Sequence, residues 1–245
     1  MSSRKEEKER LRREREEAER AHKAAENRRK RLGIVLGGLL ALAVAAVVVF
    51  ALLSGDDESG PTDGGNGDSV ALPARKTSDL DEAVKAAGCT LTEHPDEGNQ
   101  HLPGNDDSYD DYKTNPPTSG THRPVAAADG VYEPGRSADP ENWVHTLEHG
   151  RVIFMYKPGT PANRRGQLET LMNEEFNGQP EGYKTVVMEN NTDMEAAVAA
   201  VSWRRSLTCP EFTDATFDAL RAFRSEFVDD ELAPEPEFPW PYTGT

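Results

Sequence analysis

The chain has 245 residues, a formal net charge of −16 and an aromatic content of only 7%. The charge is unevenly distributed, since residues 1–32 hold 13 Lys and Arg against 8 Glu, which leaves −21 on the remainder. A surface this acidic repels nucleic acid and anionic lipid. The composition therefore excludes DNA or RNA binding by the larger part of the chain, and we predict no nucleic-acid partner.

Residues 33–53 form an apolar stretch of 21 positions without a charged side chain. A helix of that length, rising about 1.5 Å per residue, crosses a hydrocarbon core of ~30 Å, so the stretch predicts one transmembrane helix. Basic residues 28–31 precede it, and Asp56, Asp57 and Glu58 follow it. The positive-inside rule then places the N-terminus in the cytoplasm and the rest of the chain outside, in a single-pass protein of the cell membrane.

A cleaved secretory signal is the alternative interpretation of this apolar stretch. The apolar region of such a signal is usually shorter than the 21 residues found here. Its charged leader is also shorter than the 32 residues that precede this stretch. The sequence therefore favours an uncleaved anchor that makes the protein an integral component of the membrane.

The remaining segments differ clearly in composition. Residues 1–32 pair acids with bases four positions apart and lack an apolar stripe, which predicts a solvated cytoplasmic helix. Residues 54–77 are rich in Gly, Asp and Pro and predict a flexible linker. Residues 78–233 are sufficient for one extracytoplasmic domain with a modest core, and residues 234–245 form a Pro-rich tail.

The predicted domain begins with a short helix that Ser78 caps and Gly88 stops. Residues 90–138 then contain Pro, Gly, Asn or Asp in nearly every short window, so no long helix or strand is expected there. A loop of this length inside a compact domain is usually functional or disordered. The histidines and tyrosines within it argue for order.

Regular structure is predicted from Asp139 onward. Asp139 as N-cap, Pro140 in the first turn and Gly150 after the last turn frame a short helix, although Trp143 and Val144 also suit an extended run. Alternation and apolar periodicity further predict strands over residues 151–157, 184–190 and 196–203, and helices over residues 163–177 and 213–227. The alanines of residues 196–203 also allow a helix there. This order predicts an α+β fold, with a small, mostly antiparallel sheet that carries its helices on one face.

The only two cysteines, Cys89 and Cys209, both lie after the predicted membrane span. Thiols outside the cytoplasm oxidise, and disulfides persist there, so we predict one disulfide between them. Two free thiols active in redox chemistry are the alternative, but the sequence lacks the Cys-x-x-Cys pairing of such sites.

Four of the six histidines fall within 49 residues, at His101, His122, His145 and His149. His145 and His149 are four positions apart, so they share a face in a helix and also in a strand. Neutral imidazoles suit Zn²⁺, Cu²⁺ or Ni²⁺, and His101 and His122 can complete such a site, with Glu148 orienting one of the histidines. We therefore predict a copper or zinc site at these residues.

The same four histidines also allow a structural interpretation. Histidines beside Pro and Gly turns often bond to backbone carbonyls or pack on aromatic rings. In that case the domain is an envelope structural or interaction module with a protein partner, and it needs no cofactor.

Residues 145–149, HTLEH, match the H-x-x-E-H pattern of a group of zinc peptidases, in which the glutamate acts as general base. Those enzymes carry the pattern within a long active-site helix, whereas Gly150 and a predicted strand follow here at once. No G-x-S-x-G, phosphate-loop or dinucleotide pattern is present in the chain. The sequence thus favours a non-enzymatic protein, and we assign no catalytic residue.

Two motifs resemble a known family. They are PTSGTH at residues 117–122 and HTLEHG at residues 145–150, with Trp203 and Cys209 following later. Together they resemble the domain of unknown function 3105 family of bacterial single-span membrane proteins, over about residues 78–233. The resemblance implies an anchored, extracytoplasmic α+β domain, and it implies no activity.

Overall fold

A computed structural model describes residues 70–105 and 107–244. The predicted cytoplasmic helix, the predicted transmembrane helix and most of the predicted linker lie outside the described residues. In the part of the chain that is described, no helix is long and apolar enough to cross a membrane. The anchor at residues 33–53 therefore stays a prediction.

The described chain forms an α+β fold of four helices and six strands. In chain order these are α1 (Leu80–Ala87), β1 (Thr90–Glu93), β2 (Gly130–Val131), α2 (Pro140–Glu148), β3 (Val152–Tyr156), α3 (Ala162–Met172), β4 (Thr185–Glu189), β5 (Val198–Ser202), β6 (Arg205–Cys209) and α4 (Thr216–Phe227).

The six strands make one mixed sheet in the order β1-β6-β5-β3-β4-β2. Strand β3 pairs antiparallel with β5 but parallel with β4, which in turn pairs parallel with β2. Antiparallel pairing continues from β5 through β6 to β1. Three of the five strand pairings are thus antiparallel and two are parallel, so the sheet is mixed.

Strand β6 was not predicted, because Arg205–Cys209 alternates weakly between polar and apolar residues. It forms because a tight hairpin returns the chain directly beside β5. Arg204, the second of the two turn residues, has a φ of 61°.

Helices cover both faces of the sheet, which corrects the predicted single helical layer. Val152 and Phe154 of β3 pack in one core cluster with residues of α1, α3 and α4. Ile153 and Met155 pack in a second cluster with α2. Every residue of β3 is buried, and a strand that is apolar on both sides needs a cover on both sides.

Two helix boundaries differ from the prediction. Asp79, not Ser78, caps α1, because the Asp79 side chain accepts a hydrogen bond from the Glu82 backbone at 2.8 Å. Helix α3 ends at Met172, although the apolar spacing continues to Phe176. Phe176 instead lies under the Arg224 guanidinium, whose carbon is 4.0 Å from the ring centroid.

The predicted disulfide is confirmed. It joins Cys89, just before β1, to Cys209 at the end of β6, across a separation of 120 residues. Since β1 pairs with β6, the bond reinforces one edge of the sheet where the two strands already lie side by side.

Segments that precede and follow residues 78–233 in the sequence also pack on the domain. In the preceding segment, the Lys76 backbone donates a hydrogen bond to the Asp218 carboxylate at 2.8 Å. After it, residues 229–242 form a C-terminal strap, in which the Arg151 guanidinium donates to the Pro239 carbonyl at 2.7 Å. The Lys184 ammonium binds both Asp229 and the Pro236 carbonyl. This strap passes beside the end of α2.

Candidate metal centre

Helix α2 carries three of the predicted site residues on its last turn. His145 and Glu148 are three positions apart and therefore face the same side of the helix. His149 is the C-cap, and Gly150 follows with a φ of 73°, which reverses the chain into β3. A Cβ at Gly150 would lie 3.1 Å from the Asp229 backbone, so glycine also allows the C-terminal strap to approach.

Two short segments of the long loop bring His101 and His122 to this turn. The His122 backbone donates to the Gln100 carbonyl at 3.0 Å, and the Leu102 backbone donates to the His122 carbonyl at 2.7 Å. These bonds form a parallel bridge between His101 and His122. The loop is ordered here, as its composition predicted.

The loop is also attached to the start of α2. The Arg123 backbone donates to the Glu141 carbonyl at 3.2 Å, and the Arg123 guanidinium pairs with Asp139 at 2.7 Å. Asp139 therefore uses its carboxylate to hold the loop and does not cap the helix with it. As a consequence, His122 is fixed against α2.

Ligand atoms of four residues converge at this place. One atom each from His101, His122, His145 and Glu148 lies within 4.8 Å of all the others. Glu148 Oε2 is 3.0 Å from His122 Nε2, 3.6 Å from His101 Nε2 and 3.7 Å from His145 Nε2. The three imidazoles thus surround a single carboxylate oxygen.

Hydrogen bonds to backbone carbonyls fix two of these imidazoles. His122 Nδ1 lies 2.8 Å from the Gly120 carbonyl, and His145 Nδ1 lies 2.7 Å from the Arg123 carbonyl. A carbonyl only accepts, so both Nδ1 atoms carry the proton, and in the neutral ring the lone pair is on Nε2. This is the tautomer in which histidines bind metal through Nε2.

The Glu148 carboxylate is also held in position. Its Oε1 accepts a hydrogen bond from the Asn99 side-chain amide at 3.0 Å, which leaves Oε2 directed at the histidines. Burial alone would raise the pKa of Glu148, but the adjacent His122, the hydrogen bond from the Asn99 amide and the nearby His145 outweigh burial and lower it. Glu148 is therefore an anion in a buried place.

His149 lies beside this group. Its Nε2 is 3.1 Å from His145 Nε2, and its ring stacks on Phe238 of the C-terminal strap at a centroid distance of 3.6 Å. Burial, followed by the nearby His145 and Arg151, lowers the pKa of His149 to about 3. Burial likewise lowers the pKa of His145 to about 4, so both rings are neutral at pH 7.

All five residues predicted for the site thus lie near one another, but two of them have the opposite of the roles predicted for them. Glu148, predicted as an outer residue, contributes an oxygen to the converging group, whereas His149, predicted as a ligand, contacts that group through His145. Sequence reasoning missed Asn99 altogether. Nothing in the sequence singles out this asparagine in a loop rich in Asn, Asp and Gly.

These features define the class of protein: a disulfide-linked α+β domain with a buried histidine and carboxylate cluster. The sequence model of the protein family of unknown function DUF3105 matches residues 106–239, more than half of the chain. The chain therefore belongs to this family, and the matched part includes His122, His145 and Glu148. No curated protein and no solved structure matches the chain.

Proposed function

We propose that the protein is a membrane-anchored, extracytoplasmic metal-binding protein that holds one Zn²⁺ or Cu²⁺ ion at His101, His122, His145 and Glu148. One observation carries the proposal. Three imidazole Nε2 atoms surround a buried anionic oxygen at 3.0 to 3.7 Å.

A cation suits this arrangement electrostatically. His145 Nδ1 donates its proton to a carbonyl, so Nε2 of the neutral ring is an acceptor. This atom lies 3.1 Å from His149 Nε2 and 3.7 Å from Oε2 of the anionic Glu148. A divalent ion between His145 Nε2 and Glu148 Oε2 would be attracted by both atoms.

The separations from Glu148 Oε2 are near those of a small tetrahedral site, and the most distant pair of ligand atoms, within 4.8 Å, would have to move closer around an ion. Zinc binds imidazole nitrogen and carboxylate oxygen at about 2.0 to 2.2 Å, which separates tetrahedral ligand atoms by roughly 3.3 Å. The three separations from Glu148 Oε2 lie on either side of that value. The group consists of imidazole and carboxylate without thiolate or thioether, which favours Zn²⁺ or Cu²⁺ over Cu⁺.

The placement of His149 argues against the zinc-peptidase interpretation. In that mechanism both histidines of H-x-x-E-H bind the metal and the glutamate is the base. Here Glu148 belongs to the converging group, while His149 contacts His145 and stacks on Phe238. Four protein ligands also fill a tetrahedral site and leave no position for a reacting water.

The alternative of an interaction module with structural histidines predicts the same fold without a bound ion. Metal titration distinguishes the two. The full-length protein, purified in detergent and stripped with a chelator, should take up one Zn²⁺ or Cu²⁺ per chain, measured by elemental analysis and calorimetry.

Two substitutions localise the ion. His145→Ala should abolish stoichiometric binding, whereas His94→Ala should leave it unchanged, because His94 bonds to Ser206 Oγ at 2.8 Å and is not part of the group. Absence of stoichiometric uptake by the unmodified protein would favour the interaction module.

A further inference from the structure

The four converging residues differ sharply in exposure. The side chains of His122, Glu148 and His145 are 0%, 2% and 7% exposed, whereas His101 is 46% exposed. Three members of the centre are therefore enclosed by protein, and solvent reaches it at His101.

His101 also lacks the support that the other ligands have. Backbone carbonyls hold Nδ1 of His122 and of His145, and the Asn99 amide holds Glu148. Within residues 70–105 and 107–244, no hydrogen bond holds His101 Nδ1. Its ring centroid lies 4.8 Å from those of His122 and His145.

The backbone at His101 is nevertheless fixed. Bonds from the His122 backbone to the Gln100 carbonyl and from the Leu102 backbone to the His122 carbonyl hold it on both sides. The ring can therefore rotate about its side-chain bonds into solvent without moving the chain and without breaking any of these bonds.

We propose that His101 is the exchangeable ligand of the centre, over which the ion enters and leaves. This inference rests on the proposed metal-binding function. When the bond between His101 Nε2 and the ion breaks, His122, His145 and Glu148 retain the ion, and one coordination position opens to the exterior. An imidazole, thiolate or carboxylate of a metal-exchange partner forms a bond there, and no electron transfer is involved.

The retained set of two histidines and one glutamate is a recognised way to hold zinc with one position open. The ion therefore stays bound during the exchange. An incoming donor meets it before the buried ligands dissociate, which makes transfer to another molecule faster than release into water.

The test compares substitution of the exposed ligand with substitution of a buried one in the full-length protein. His101→Gly should still bind one Zn²⁺, with lower affinity than the unmodified protein because one of four ligands is lost, and it should transfer the ion faster to a coloured chelator in stopped flow. Added imidazole should restore most of the affinity, because it can occupy the open position. In the Co²⁺ form, imidazole should also change the visible spectrum.

Substitution of a buried ligand should behave differently. His145→Ala should lose stoichiometric binding, and imidazole should not restore it, because the vacated place is enclosed. Glu148→Gln, which keeps the size of the side chain, provides a second buried comparison if His145→Ala folds poorly. His94→Gly is the control and should match the unmodified protein.

Several results would overturn the inference. These are complete loss of binding in His101→Gly, an unchanged transfer rate, or no response of that variant to imidazole while the unmodified protein binds Zn²⁺. Failure of the unmodified protein to bind at all would instead overturn the proposed function, and this inference with it.

Discussion

His122 and Glu148 are 26 residues apart in the chain, yet His122 Nε2 lies 3.0 Å from Glu148 Oε2. Both side chains are almost fully buried. The Gly120 carbonyl accepts a hydrogen bond from His122, and the Asn99 amide donates one to Glu148. This contact joins the long loop to α2 at the centre of the candidate site. It makes Glu148 the most informative residue to change.

We expect Glu148→Gln to remove metal binding while preserving the metal-free fold. The amide keeps the size of the side chain and can still hydrogen-bond to His122 and Asn99, but it supplies no anionic ligand. In the unmodified protein, Zn²⁺ at 100 times its Kd should add about 2.7 kcal/mol to the free energy of unfolding, or roughly 5 to 10 °C in Tm. The variant should lose this gain.

Glu141→Gln is the matched control for that experiment. Glu141 is also buried, and it lies on the same helix, but it accepts a hydrogen bond from the Tyr109 backbone at 2.8 Å, away from the centre. The control should keep the full zinc-induced rise in Tm. An equal rise in Tm for Glu148→Gln would argue against this glutamate as a ligand.

The metal-free protein should lose stability as pH falls below about 6.5. Burial lowers the pKa of His145 to about 4 and that of His149 to about 3 in the folded protein, whereas an unfolded histidine titrates near 6.5. Between these values the unfolded chain binds more protons, so acid favours unfolding. The expected loss by pH 4.5 is on the order of 5 kcal/mol for the two rings together, measured by urea unfolding with chelator present.

The variant His149→Gln isolates this effect from the titration of the many carboxylates. Its free energy of unfolding should fall less steeply between pH 6.5 and 4.5, because one of the two neutral imidazoles is gone. Identical pH profiles for the variant and the unmodified protein would contradict the assignment.

Removal of the disulfide should destabilise the domain strongly. Cys89 and Cys209 close a loop of 120 residues, for which the chain-entropy model gives about 4 to 5 kcal/mol. The double substitution Cys89→Ala and Cys209→Ala should lower the urea midpoint accordingly. The unmodified protein under reducing conditions should shift by a similar amount, and a shift below about 1 kcal/mol would count against this role of the bond.

The orientation of the chain can be tested by reporter fusions. If residues 33–53 span the membrane with the N-terminus inside, a reporter that is active only outside the cytoplasm should work when fused after residue 245. The same reporter fused before residue 1 should be silent. The reverse pattern would place the acidic domain in the cytoplasm, where the disulfide would not be expected to persist.

Several structural features follow from local sequence alone. The helix framed by Pro140 and Gly150, the central strand after it and the bond between Cys89 and Cys209 all agree with prediction. Turn residues and an apolar run are short-range signals, and a chain with only two cysteines allows only one intramolecular pairing, so these predictions need no knowledge of the fold. The clustering of histidines also indicated the place of the candidate site.

The order of the strands and the face of the sheet that each helix covers became apparent only in the tertiary structure. Strand β6 exists because the hairpin at Arg204 places Arg205–Cys209 between β5 and β1. Helix α2 covers the face opposite to the other helices because β3 is apolar on both sides. Pairing partners and faces are long-range properties, and local spacing does not specify them.

The sequence by itself determined that His145, Glu148 and His149 lie close together, at the end of one short predicted element. Only the tertiary structure decided which two of them meet His101 and His122. Helix α2 ends at Glu148, so His149, as its C-cap, leaves the helical path, and Phe238 from the C-terminal strap stacks on its ring. Asn99 then directs Glu148 toward the histidines. Both partners are distant in sequence, and therefore no local pattern could have assigned the roles of these residues.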